Sequence, residues 1–179
     1  VAFSPDGKLL VSSCSGSIRF WDPASGRLLR TLPEGASALA FSPDGKTLVS
    51  ARLNKPRIQL WDVATGALRK PGNNVPDYLG RVGKVYGLQF SPDGSVFATG
   101  KAGGTVSVWD TSTLQPVARF DQGTGHTTSH PVAFSADGKR LASGYGPRIR
   151  IWDLATQEEL LVIPDAPARE RGALASRAG

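Results

Sequence analysis

The sequence predicts an all-β chain made of four copies of one four-stranded antiparallel meander, and two observations carry that prediction. The phrase FSPDG stands at Phe3, Phe41 and Phe90, and FSADG at Phe134. Each is followed 18 to 20 residues later by a Trp-Asp pair, at Trp21, Trp61, Trp109 and Trp152. The unit is therefore about 40 to 50 residues long, a period at which repeats stack because one alone cannot bury its apolar face.

The second copy shows how each element arises. ALAFS is a short apolar run that stops at SPDG. There proline presets φ, aspartate bonds to nearby backbone and glycine takes the left-handed corner, so the chain reverses. KTLVSA is rich in small and apolar residues, and RIQLWD alternates polar with apolar at period two, so both read as strands. VATG then supplies a second turn before ALRK leads away as the fourth strand. The same reading gives units over residues 1–33, 37–70, 84–121 and 131–163, a long connection over 71–83 and a disordered tail or linker over 164–179.

The recurring acidic residues are turn formers. Asp6–Gly7, Asp44–Gly45, Asp93–Gly94 and Asp137–Gly138 close the first turn, and Asp22, Asp62, Asp110 and Asp153 accept backbone N–H groups in the second. Gly26 and Gly66 end that second turn, whereas Leu114 and Gln157 take their places in the last two copies. Those two turns are expected to be strained or built differently. An active site is one constellation, so a carboxylate used four times in one role argues against catalysis. No nucleophile elbow, phosphate loop or metal-ligand pattern occurs, and no cofactor or metal is expected. His126 and His130 lie four apart, but in a loop with no third ligand nearby.

The FSPDG…WD unit resembles the WD-repeat β-propeller family over about residues 1 to 163. The resemblance implies β-propeller blades whose innermost strands are VAFS, ALAFS, YGLQFS and PVAFS, ranged around a channel. Two family features depart. Gly-His before the inner strand survives only as Gly125-His126, and Ser15, Lys55, Gly103 and Gly146 replace the aspartate six residues before the tryptophan. The family's His–Ser/Thr–Asp–Trp network is thus not expected in its usual version, which shifts blade stability towards apolar packing between sheets. With 179 residues the chain is too short for seven such blades, so an open arc or fragment is expected, the C-terminal part of a longer protein. The end sheets of such an arc expose apolar faces, which a homodimer closing an eight-blade ring would cover.

The single cysteine, Cys14, excludes an internal disulfide and reads as a small buried hydrophobe in a strand. No apolar run approaches the length of a membrane helix, and no membrane partner is expected.

Function is expected on the rim of variable loops, because such loops on a rigid scaffold concentrate binding residues. The 52–57 and 69–84 connections carry Arg52, Lys55, Arg57, Arg69, Lys70, Arg81 and Lys84 against Asp77, flanked by Tyr78 and Tyr86, within a net charge of +6. A basic patch of this kind suits an acidic protein segment, phosphate groups or nucleic acid. Nucleic acid is the weaker reading, because the aromatic spacing of such modules is missing. The resemblance implies contact residues just before the inner strands, Lys84, Tyr86, Thr128 and His130, and at the tips of the second-to-third-strand turns, Asn54 and Tyr145. With Arg57 and Arg81 these form the candidate partner-binding set of a non-catalytic interaction scaffold. The alternative places the arc as the docking region of a larger signalling enzyme.

Overall fold

The computed structural model describes residues 1–14, 16–51, 58–69, 85–123 and 131–164, with only the backbone of Tyr145. Four antiparallel sheets of four strands each follow one another along the chain. The first comprises β1 (Ala2–Phe3), β2 (Leu10–Cys14), β3 (Ser17–Trp21) and β4 (Leu28–Leu32), and the second β5 (Ala38–Phe41), β6 (Thr47–Ala51), β7 (Ile58–Asp62) and β8 (Leu68–Arg69). The third comprises β9 (Val85–Phe90), β10 (Val96–Lys101), β11 (Thr105–Asp110) and β12 (Pro116–Asp121). The fourth comprises β13 (Val132–Phe134), β14 (Arg140–Tyr145), β15 (Arg148–Asp153) and β16 (Glu159–Pro164). Strands are paired in chain order within every sheet, as a meander requires. The first strands lie side by side, β1 against β5, β5 against β9 and β9 against β13.

Register sorts each sheet into two faces, because successive side chains on a strand point opposite ways. One face carries the row Phe41–Leu48–Trp61 in the second sheet, Phe90–Phe97–Trp109 in the third and Phe134–Leu141–Trp152 in the fourth. The other face is mostly aliphatic, with Val49, Ile58 and Leu60 in the second sheet. Each tryptophan face packs on the aliphatic face of the preceding sheet. Val11, Ile18, Phe20 and Leu32 meet Phe41, Leu48 and Trp61. Val49, Ile58 and Leu60 meet Phe90, Phe97, Trp109 and Leu114. Ala98, Val106, Val108, Ala118 and Phe120 meet Leu141 and Trp152, whose ring stacks on Phe120 at 4.7 Å between centroids.

Part of the hydrogen-bond network that the missing aspartates put in doubt is present. Each tryptophan N–H donates to a hydroxyl on the neighbouring strand: Trp21 to Ser12 (2.8 Å), Trp61 to Ser50 (2.8 Å), Trp109 to Thr99 (2.9 Å) and Trp152 to Ser143 (2.9 Å). The bond lets an indole enter a core without leaving its only donor unpaired.

Cys14 departs from expectation, being exposed rather than buried. It is the last residue of β2 and shares a face with Leu10 and Ser12, the side of the first sheet that no preceding sheet covers. The turns at Leu114 and Gln157 are not rebuilt, since these residues take φ of 57° and 60°, close to the 69° and 73° of Gly26 and Gly66. Leu114 is held there by burial in the core, and Gln157 donates its amide to Val117 O at 3.3 Å.

Candidate functional site

A meander places its turns alternately on two rims, and the two rims differ in chemistry. On one, the SPDG turns are nearly identical. In the first, the Ser4 hydroxyl donates to Asp6 Oδ1 at 2.6 Å, while the N–H groups of Lys8 and Leu9 donate to Asp6 and Ser4. Gly7 adopts φ of 70° as it closes the corner. Ser42–Asp44, Ser91–Asp93 and Ser135–Asp137 repeat the arrangement. The serine hydroxyl, first, and then a backbone N–H, hold these carboxyl groups below the ordinary aspartate value.

The aspartates that follow the tryptophans behave alike. Asp22 accepts from Ala24 N, Asp62 from Thr65 N, Asp110 from Ser112 N and Thr113 N, and Asp153 from Ala155 N and Thr156 N. Their carboxyl groups are lowered as well, Asp22 and Asp110 chiefly by a serine hydroxyl, Asp62 and Asp153 chiefly by a backbone N–H. Every recurring carboxylate is therefore an ionised acceptor occupied by its own turn, with no raised pKa of the kind a general acid needs.

Between the first two sheets this rim holds a hollow of ≈ 540 Å³, lined by Leu9, Phe20, Leu29, Lys46 and Arg69 among others. Arg30 also lines it, lies over the Phe20 ring at 5.9 Å and donates to Val63 O (3.0 Å) and Ala64 O (2.8 Å). Its guanidinium ties the first sheet to the second, a role for which a lone arginine in LLRTL gives no sequence signal. Arg69, grouped by sequence with the variable loops, sits here instead, 3.3 Å from Asp62. The cause is its place on β8, directly after the turn that follows Trp61.

The opposite rim carries the starts of the first strands and the turns between second and third strands. Here a smaller hollow of ≈ 210 Å³ is lined by Val1, Ser13, Ala36, Ser37, Ala38, Leu39, Tyr86 and Leu88. Residues of the first three sheets converge in it. Its wall is pinned, because Ala36 N donates to Ser13 Oγ at 2.7 Å and Ser37 N donates to Ala51 O at 2.7 Å. Gly35 passes Gly16 so closely that a Cβ on it would lie 2.8 Å from the Gly16 Cα. Only glycine permits that crossing.

Tyr86, near the start of β9, lines this hollow and is 41% exposed, so it is neither packed away nor fully in solvent. Tyr145 ends β14 at the corresponding turn of the fourth sheet, its backbone paired with Arg148. Asn54, Arg57, Arg81, Lys84, Thr128 and His130 lie outside the described residues, as do His126 and most of the basic connection. Among the described residues no cluster of three or more His, Cys, Asp or Glu side chains is poised to hold a metal ion. Leu39, Leu88 and Ser13 were not singled out by the sequence, since an apolar residue or serine at a strand end reads as ordinary core or turn.

Four meander sheets, the last three each laying a tryptophan face on the sheet before it, define a repeat scaffold of the blade type. The sequence matches the WD40 family, described as "WD domain, G-beta repeat", over residues 1–22, 26–62, 76–110 and 115–153, and the chain belongs to that family. Its domains are typically protein-interaction scaffolds and typically non-catalytic. The matched repeats are offset from the sheets, since residues 26–62 and 115–153 each take the outermost strand of one sheet with three strands of the next.

Among curated proteins, the chain is 38% identical over 65 residues to pre-mRNA-processing factor 19 homolog 2 of Arabidopsis thaliana, covering 36% of this chain and 12% of that protein. It is 30% identical over 105 residues to the protein LST8 homolog of Dictyostelium discoideum, covering 57% of this chain and 33% of that protein. The chain thus spans a third or less of the length of these relatives.

Proposed function

We propose that the chain is a non-enzymatic interaction scaffold that binds a protein or peptide segment on its variable rim. One observation carries the reading: the hollow at the starts of the first strands, where Tyr86 stands half-exposed beside Leu39 and Leu88. Tyrosine supplies a large contact area at low entropic cost and is enriched among residues that dominate binding energy. The opposite rim supports the reading by contrast, because its recurring polar groups are spent on their own turns. The basic residues of the 52–57 and 70–84 connections favour an acidic partner, with Arg57, Arg81 and Lys84 as the contacts the sequence nominates.

The test is selection from a displayed peptide library on the immobilised chain, followed by titration of the selected peptides against Tyr86→Ala and against Arg57→Glu with Arg81→Glu. Tyr86→Ala is expected to weaken binding about tenfold or more, and the double charge reversal to abolish any preference for acidic peptides. Peptides that bind all variants equally would refute the rim as the site. Binding of nucleic acid with a steep loss at higher salt would favour the phosphate reading instead.

A further inference from the structure

On the rim of the SPDG turns the recurring polar groups are spent on their own turns, but the hollow between the first two sheets draws on residues that do not recur. Arg30 pairs with Phe20 across β3 and β4, where Ala118 faces Val108 in the third sheet and Leu161 faces Ile151 in the fourth. By their offsets from FSPDG and Trp-Asp, Leu9, Leu29, Lys46 and Arg69 correspond at the junction of the third and fourth sheets to Val96, Val117, Lys139 and Leu160. The first junction thus gathers three cations, Arg30, Lys46 and Arg69, where the third has only Lys139 at the matching places. A feature that every junction shares serves the fold, and one that a single junction carries needs another account.

The lining is of two kinds. Leu9, Phe20 and Leu29 supply apolar surface, and Leu29 is the extra residue where the β3–β4 register shifts, 44% exposed at the hollow. Arg30 is fixed in place, since a Cβ on Gly66 would lie 2.8 Å from its Cδ and two of its N–H groups go to Val63 O and Ala64 O. A guanidinium has about three more to give. Asp62 is the one carboxylate in the lining, and it is taken up by Thr65 and Arg69. The neighbouring Asp44 accepts from the Ser42 hydroxyl and Lys46 N.

We infer that this hollow binds a peptide segment of a partner protein in which a carboxylate side chain adjoins a large apolar one. The carboxylate meets Arg30, Lys46 and Arg69, and the apolar side chain covers Leu9, Phe20 and Leu29. Its ≈ 540 Å³ falls within the range of about 300–1,000 Å³ typical of ligand pockets, and a free inorganic anion would leave its apolar part bare. The flanking strands β4 and β8 are the outermost of their sheets, so their edges offer N–H and C=O groups to an extended main chain, which a lipid cannot use. The site shares no residue with the hollow around Tyr86 and stands apart from the rim reading.

The test titrates the full 179-residue chain against two pools of labelled, end-blocked hexapeptides, read by fluorescence anisotropy up to about 1 millimolar. One pool mixes Leu, Ile, Val and Phe with Asp and Glu, and the other replaces the acids by Asn and Gln. The acidic pool is expected to bind about tenfold or more tighter. Lys46→Glu and Leu29→Asp, both at exposed positions, are each expected to weaken its binding about tenfold. Lys139→Glu makes the same charge change at the third junction and is expected to leave binding within about twofold. Circular dichroism checks that the variants fold, with Leu29→Ser and Lys46→Ala as substitutes if either does not. Equal binding of the two pools, binding unchanged by Lys46→Glu or by Leu29→Asp, or an equal loss with Lys139→Glu overturns the inference. So does loss with Tyr86→Ala alone, which moves the peptide to the other rim. Inorganic phosphate or decanoate that binds where neither pool does assigns the hollow to a free anion or a lipid and likewise overturns it.

Discussion

The first and third sheets are built to one plan and live in different surroundings. Both begin on an F-S-P-D-G turn, and both donate a tryptophan N–H to a hydroxyl one strand away. Trp109 is fully buried, stacked on Phe97 at 6.4 Å and covered by the second sheet, whereas Trp21 is only partly buried. The turns differ too. Thr111 N donates to Ser95 O and joins the two turns of the third sheet, as Val63 N and Leu154 N do in the second and fourth. Pro23 holds that place in the first sheet and has no N–H to give. Hydrogen bonds inside a sheet are therefore set by its own sequence, while their worth is set by the neighbour that excludes water.

Truncating the tryptophans is the strongest way to break the comparison. Trp109→Ala is expected to cost about 3–5 kcal/mol, the range for an aromatic lost from a core, and Trp21→Ala less than half of that. Urea unfolding followed by circular dichroism measures both, and equal costs would mean that the second sheet adds nothing to the third.

Removing the acceptors sharpens the point. Thr99→Val leaves the buried Trp109 N–H unpaired and is expected to cost about 1–3 kcal/mol. Ser12→Ala should cost less, since Trp21 has water within reach, and the same titrations compare them.

The left-handed corners form a third pair. Gly26→Leu forces a side chain into positive φ and is expected to cost about 1 kcal/mol. Leu114→Gly relieves strain of similar size but removes a buried leucine, so a net loss of stability is expected rather than a gain. A stabilised Leu114→Gly protein would show that its burial contributes little.

Acid acts on both sheets alike. The turn carboxylates are lowered in the folded chain, so their stabilisation is fully present above the unfolded aspartate value of about 4 and is lost as pH falls through the lower folded values. The urea midpoint is expected to drop between pH 7 and pH 3, while the difference between Trp109→Ala and Trp21→Ala changes least of all.

The repeat was legible because turns write themselves in few letters. Proline, aspartate and glycine at fixed offsets, then a Trp-Asp pair, leave little freedom in how the chain reverses, and the strands between follow from their alternation. Contacts between sheets were not legible in that way. Nothing in LLRTL shows that Arg30 reaches the carbonyls of Val63 and Ala64, and nothing in VSSC shows that Cys14 faces an uncovered side. The tryptophan–hydroxyl bonds were hidden because their acceptor is a serine or threonine inside an ordinary strand. At the rim the sequence reached Tyr86 through its offset from the inner strand, but the hollow it lines draws on residues of three sheets far apart along the chain.

The offset between repeat and sheet bears on how such a chain grows. A segment such as residues 26–62 is not a blade but a stitch, carrying the last strand of one sheet and the first three of the next. Copying it in tandem delivers each new sheet already sewn to its predecessor, with no orphan strand at either seam. Excising it heals the same way, because the strand that departs with it is replaced by its counterpart from the following copy. Lineages are thus free to lengthen or shorten the array by whole stitches while every sheet keeps four strands.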